Sequence, residues 1–400
     1  MEPGNMEKLN ICIVNPNRNA YSETFIRNHI KYLPGNILFV YGSWFPAYDE
    51  KDQRLADLFI KRSLSSKAIV LLCKLLPAFI ANKIQSDIKG YPYDEALNDK
   101  AFRFFLEKNK IDVVLAEFMY KGVLIKDACA DLKIPFVVHT HGGADIMNKD
   151  SLKLFSESIS DMFNKATRII SVDSYSSSKL LELGLQKEKL AEIGLGIDVT
   201  LFTKTKPSSN DPVFLAVGRL VNMKAPYLTI LAFSSVLKVH TQAKLIIAGS
   251  GDLFDCCFQI VKALKIGKNV LFPGVLTPAE VSVYMRKSRA FVQHSVHTSN
   301  GDSEGLPVAI LEAMATGLPV ISTFHNGIAD TIINEKDGLL VEENDIDGMA
   351  AYMIKLIEEP LFADQLGVMA REKIEGHFEM SKVIQGLSSI IQSAFDSYKN

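Results

Sequence analysis

The chain has 400 residues, 48% hydrophobic and 22% charged, which is the make-up of an ordinary globular protein and suits two cores better than one. A net charge of -2 supplies no broad positive field for gathering phosphates, so nucleic acid is not expected as a partner. Five cysteines, Cys12, Cys73, Cys129, Cys256 and Cys257, show neither a CxxC pair nor zinc-ligand spacing and read as reduced thiols of a cytoplasmic protein.

Residues Met1 to Asn10 are polar and run straight into a strand, so no secretory signal is expected. Short apolar runs suited to buried parallel strands lie at 10–14, 37–41, 113–116, 135–139 and 168–172 in the first half. In the second half they lie at 213–217, 244–248, 270–272, 290–293, 319–322 and 338–341. Helical patterns alternate with them, and that alternation predicts an α/β fold with two parallel sheets. Residues 203–212 carry Pro207 and Pro212 and no large apolar side chain, which marks a linker. The expected organisation is an N-terminal domain over 1–203, a linker over 204–212 and a C-terminal domain over 213–378. A final helix over 379–400 has Val383, Leu387, Ile390, Ile391 and Phe395 on one face, which predicts its return onto the first domain.

Residues 68–81 are apolar, but they are too short and too interrupted by Lys74 and Pro77 to span a bilayer. With Lys61, Arg62, Lys67 and Lys83 around it, the segment reads as an amphipathic helix on its own domain or as a peripheral contact with the cytoplasmic membrane face.

The stretch 303–319 carries the most chemistry. Pro307 suits the first position of a helix that Gly317 and Pro319 would stop. The amides of Gly305 and Leu306 then emerge at the positive end of that helix, which is an anion site. Glu304 precedes the helix and Glu312 lies within it, where a carboxylate calls for donors such as sugar hydroxyls. Taken alone, Glu304 reads equally as a helix-cap acid and Glu312 as a solvated face residue.

After the first strand of the second half, Gly218 permits close backbone approach, and Arg219 and Lys224 suit a diphosphate at the carboxyl edge of the sheet. Gly251, after the next strand, reads as a second close approach or as a plain strand-helix turn. In the first half, His139 and His141 share one face at a strand end, and Gly142 and Gly143 let a substrate come near. No third metal ligand accompanies the histidines, so a hydrogen bond to a sugar hydroxyl fits better than zinc. Asp345 and Asp347 open a helix, where capping accounts for them. No Gly-x-Gly-x-x-Gly follows the first strand and no Walker loop occurs, so the nicotinamide and P-loop fingerprints are both absent.

These motifs resemble the retaining glycosyltransferases of family four, which have the two-domain GT-B fold. Glu304 and Glu312 match the family's two glutamates separated by seven residues, and Gly218, Arg219, Leu220 and Lys224 match its diphosphate-holding element. The resemblance implies that Glu304 meets the donor sugar and Glu312 the ribose, with Gly305, Leu306, Pro307 and backbone near Val275 completing the donor side. His141, Gly142 and Asp145 loosely match the family's His-Gly-x-Asp element near the reacting sugar. The family's glycine pair after the first strand is missing, and Ser22 to Ile26 stands as its substitute.

The stretches 301–307 and 323–328 look like the subgroup that makes exopolysaccharide of colanic-acid character. Ala225, Ala329 and Asp330 depart from the usual Gly, Pro and Glu. The resemblance implies a retaining, metal-independent hexosyl or N-acetylhexosaminyl transfer from a UDP- or GDP-sugar to a glycan or lipid-linked acceptor, with no cofactor. A catalytically silent sugar-nucleotide-binding subunit and a sugar-nucleotide epimerase of the same fold are the alternatives.

Overall fold

Continuous apolar runs bury the central strands on both faces, and the chain covers those faces with helices. The computed structural model of the protein describes residues 8–18, 20, 23–59, 95–146 and 149–399. The first sheet takes β1 (Asn10–Asn15), β2 (Asn36–Tyr41), β3 (Tyr48–Asp49), β4 (Val113–Glu117), β5 (Phe136–His139), β6 (Arg168–Ser171) and β7 (Leu190–Glu192). Its order among the described residues is β3-β2-β1-β4-β5-β6-β7, parallel except for the short β3. The second sheet takes β8 (Val213–Val217), β9 (Lys244–Ala248), β10 (Val270–Gly274), β11 (Ala290–Val292), β12 (Val320–Thr323) and β13 (Leu339–Val341). Its order is β10-β9-β8-β11-β12-β13, and it is parallel throughout.

The first sheet is flanked by α1 (Thr24–Tyr32), α2 (Glu95–Lys108), α3 (Met119–Asp131), α4 (Lys149–Lys165) and α5 (Ser174–Glu182). The second is flanked by α6 (Pro226–Val236), α7 (Phe254–Ala263), α8 (Pro278–Arg286), α9 (Val308–Ala315), α10 (Asn326–Thr331), α11 (Ile346–Glu358) and α12 (Pro360–Lys373). Period-two alternation divides the first core: Cys12 and Val14 pack with Phe102, Ile125 and Met162, whereas Ile11 and Ile13 turn to the other face. The apolar stripe of α13 (Met380–Lys399) covers that second face through Ile384, Leu387, Ile391 and Ala394.

The segment between the sheets is held on the second domain. Thr205 N–H donates to the Thr316 carbonyl at 2.8 Å, Ser208 donates twice to the Asp364 carboxylate, and the buried Arg289 guanidinium donates to the Pro207 carbonyl at 2.9 Å. The chain passes between the domains at Ile197 and again near Glu379. The two passages pair side by side, with Ile197 N–H on the Phe378 carbonyl at 2.8 Å and Met380 N–H on the Ile197 carbonyl at 3.0 Å. Arg371 secures the first passage by donating to the carbonyls of Phe202 and Ala315.

No helix among the described residues is long and apolar enough to cross a membrane. The basic, apolar stretch 61–83 lies outside the described residues. Ile391 is fully buried against the first sheet, so Ile391→Ala should lower the stability measured by denaturant unfolding by about 2–5 kcal/mol, through lost burial and the cavity left behind.

Candidate active site

Loops leaving the carboxyl ends of β1, β4 and β5 face loops leaving β8, β9 and β10 across a cleft of about 860 Å³. Pro16, Phe118 and His141 line one wall; Gly218, Gly249 and Val275 line the other, with the segment Ser303 to Ala309 along the floor. Of the residues singled out from sequence, Glu304, Arg219, Lys224, His141, Gly218, Gly305, Leu306, Pro307, Glu312, Val275 and Asp145 all border this one space. Ser22 lies outside the described residues. Gly251 does not border the cleft. It packs on Leu220, whose carbonyl oxygen would sit 2.5 Å from an added Cβ, while Gly249 and Ser250 take the cleft wall.

Lys224 Nζ meets Glu304 Oε2 at 3.0 Å, and both side chains are largely buried. Gly218 makes room for that lysine, since a Cβ there would lie 3.1 Å from the Lys224 stem. The Arg219 side chain is exposed to the cleft, and its guanidinium forms no ion pair or hydrogen bond with a described residue. Both ends of the Glu304 peptide are fixed from α10 and the residue before it: Glu304 N–H donates to His325 Nε2 at 3.1 Å, and its carbonyl accepts from Asn326 Nδ2 at 2.7 Å. Because Nε2 accepts, the His325 proton sits on Nδ1, which donates to Glu343 Oε1 at 2.5 Å.

Helix α9 begins one residue later than the sequence suggests. Pro307 takes the N-cap position with extended ψ of 121°, and its carbonyl accepts from Ile310 N–H at 3.0 Å. Among the described residues, nothing accepts from the amides of Gly305, Leu306, Val308 or Ala309, so the helix presents bare donors to the cleft. Asp345 caps α11 through Gly348 N–H at 2.8 Å, as its position before a helix predicts.

The opposite wall comes from the β5 exit. Gly142 has φ of 87°, and a Cβ on it would stand 2.9 Å from Gly305 Cα, so a glycine is what lets the two domains' loops touch. The Asp145 carboxylate borders the cleft, but it is occupied with the N–H groups of Met119, at 3.0 Å, and His141, at 3.1 Å. Desolvation pushes that carboxyl up to about 6 in spite of its donors. Across the domains, Asp330 Oδ2 accepts from Ser174 Oγ at 2.7 Å and Tyr175 N–H at 2.9 Å, clasping the start of α5.

Two clusters escaped the sequence reading. His29 and Glu117 join His139 and His141 beneath the β5 exit, and His297 joins His325 and Glu343. Their closest nitrogen-oxygen separations are 2.7 Å and 2.5 Å, shorter than the roughly 3.3 Å between ligands of a tetrahedral zinc ion. In both clusters a ring nitrogen lies within hydrogen-bond distance of a carboxylate oxygen.

Two family profiles match the chain: "Glycosyltransferase Family 4" over residues 87–201 and "Glycosyl transferases group 1" over residues 200–373. The chain belongs to the GT-B glycosyltransferases of family four. The protein named WcaL, for colanic acid biosynthesis, of Escherichia coli is 28% identical over 71% of each chain. The amylovoran biosynthesis glycosyltransferase AmsK of Erwinia amylovora is 27% identical over 70% of each. The UDP-Gal:alpha-D-GlcNAc-diphosphoundecaprenol alpha-1,3-galactosyltransferase of Escherichia coli is 28% identical over 71% of this chain and 76% of its own. Among solved structures, HepE of Anabaena in complex with UDP superposes with a TM-score of 0.73 at 16% identity, over 96% of this chain and all of that one. Sucrose-phosphate synthase of Thermosynechococcus elongatus gives 0.71 at 15% identity, covering 98% and 100%. These two share the glycosyltransferase's fold.

The Glu312 side chain borders the cleft of this glycosyltransferase with no hydrogen bond from its carboxyl to a described residue, and desolvation pushes that carboxyl up to about 8. A folded carboxyl that holds its proton above the ordinary range loses stability as pH rises through that window, because the unfolded chain ionises first. Glu312→Gln should therefore melt with the parent at pH 5 and ~2 °C or more above it at pH 9, read by thermal denaturation across pH.

Proposed function

We propose that the chain is a retaining, metal-independent transferase that moves a hexose or N-acetylhexosamine from a UDP- or GDP-sugar to a glycan or lipid-linked acceptor in surface polysaccharide assembly. The observation that carries this reading is the convergence on one cleft of Lys224, paired with Glu304, the exposed Arg219 and the amides of Gly305 and Leu306, which have no acceptor among the described residues. A pyrophosphate leaving group fits that donor set. Its developing charge would be met by fixed cations and amides, which supplies what a magnesium ion would otherwise supply.

The bond from the anomeric carbon to the diphosphate oxygen breaks as the acceptor oxygen attacks from the same face. The acceptor's proton passes to the departing oxygen, and configuration is kept. Glu304 orients the sugar hydroxyls and Glu312 meets the ribose. The relatives named for colanic acid and amylovoran biosynthesis support the polysaccharide context, and the relative acting on a diphosphoundecaprenol-linked sugar supports a lipid-linked acceptor. The basic stretch 61–83 suits an acceptor presented at the cytoplasmic membrane face.

A thermal-shift panel of UDP-, GDP-, ADP- and CMP-sugars, run with and without chelator, tests the reading. One UDP- or GDP-sugar should raise the melting temperature, and EDTA should leave the shift unchanged. No response to any nucleoside diphosphate would overturn it. Lys224→Ala should lower turnover by about 10²–10³. Donor incubated alone and followed by NMR should show no new sugar epimer, which separates transfer from epimerisation.

A further inference from the structure

A buried polar group stands behind His141, and the transfer chemistry above leaves it unused. Glu117 is the last residue of β4 and has no exposed surface; His29, on α1, and His139 are exposed by 2% and 0%. One Glu117 oxygen faces His29 Nδ1 at 2.8 Å, and the other faces His141 Nε2 at 2.7 Å. Burial alone would raise the Glu117 carboxyl, but the facing His29 and His141 rings outweigh it and hold the group well below the usual carboxylate range. A carboxylate has no proton to give. Both rings must therefore donate to it.

That requirement places the His141 proton on Nε2. The Nδ1 atom of the same ring meets no group among the described residues, although it is closed off from solvent and its residue lines the cleft. The ring cannot turn to find another partner. Phe25 and Phe118 hold it with centroids at 4.4 Å and 4.8 Å, and its backbone N–H is fixed by Asp145. His139 does not compete for Glu117, lying 3.7 Å from the nearer oxygen and stacking instead on His29 at 5.3 Å. Phe118 itself has φ of 77°, a costly conformation for a non-glycine residue. It turns the chain so that Glu117 stays inside while its neighbour reaches the cleft.

We propose that Glu117, braced by His29, is a positioning residue that fixes the tautomer of His141 at the cleft wall, with the proton on Nε2 and the Nδ1 lone pair free. The inference rests on the reading of the cleft as a sugar-transfer site. Its chemistry is that of a buried carboxylate choosing which ring nitrogen carries the proton.

The tautomer can be read with no donor or acceptor present, so it fails or stands apart from the assignment of sugar transfer. In the full chain labelled with ¹⁵N-histidine, long-range proton-nitrogen correlation at pH 8 should show His141 as the Nε2–H form. An Nδ1–H His141 overturns the proposal. The side chain of Glu117→Gln offers one acceptor oxygen to two ring donors, so His141 should populate the Nδ1–H form in that variant. Its turnover of UDP-glucose, UDP-galactose or GDP-mannose should fall about tenfold or more, with UDP or GDP affinity within about threefold of the parent. A variant that keeps the parent tautomer and rate sinks the idea. So does displacement of the two ring protons by one equivalent of Zn²⁺, which would make the cluster a metal site.

Discussion

Every strand of a parallel sheet delivers its carboxyl end to the same edge, and this chain turns two such edges toward each other. The rest of the molecule follows from that constraint. Loops that would be distant in an open sheet are gathered around one space, and each wall receives its functional residues immediately after a strand: Phe118 after β4, His141 after β5, Gly218 after β8. The small residues sit where opposed loops crowd. Gly142 against Gly305 allows contact between the domains, and Gly218 allows a lysine stem to reach a glutamate.

Among the described residues, the cleft holds the Lys224–Glu304 pair and the exposed guanidinium of Arg219. Lys224 and Glu304 neutralise each other while largely buried, a state that is costly for either partner alone. Arg219 remains exposed. On the proposed reading, a pyrophosphate would meet that guanidinium and the amides of Gly305 and Leu306 before the lysine that Glu304 already holds. The backbone of Glu304 is held at both ends by His325 and Asn326, so its carboxylate is aimed by hydrogen bonds rather than by the loop's own stiffness.

The legible part of the fold was the part written in local pattern. All eleven apolar runs became strands, because burial on both faces leaves little else for them to be. The short β3 and β7 have two and three residues and carry no such pattern. At the site, Arg219 and Lys224 were visible after a strand end and Glu304 before a helix start, but their pairing was not. Gly251 misled because its sequence setting matches that of Gly249, and only the packing on Leu220 separates them. His29 and Glu117 stand 88 residues apart, one within an ordinary amphipathic helix and one at the end of an apolar strand, so only the tertiary fold could bring them to His141.

The paired passages at Ile197 and Phe378 to Met380 constrain how the halves of the molecule can move. Two backbones bonded side by side at one level act as a single pivot, so sliding one sheet past the other would break both of their hydrogen bonds. Swinging about the pivot need not. The packing of α13 on the first sheet carries the second passage along with that domain. A swing that opened the cleft would have to part the Gly142–Gly305 contact and the Asp330 clasp on α5, both of which lie across the domains.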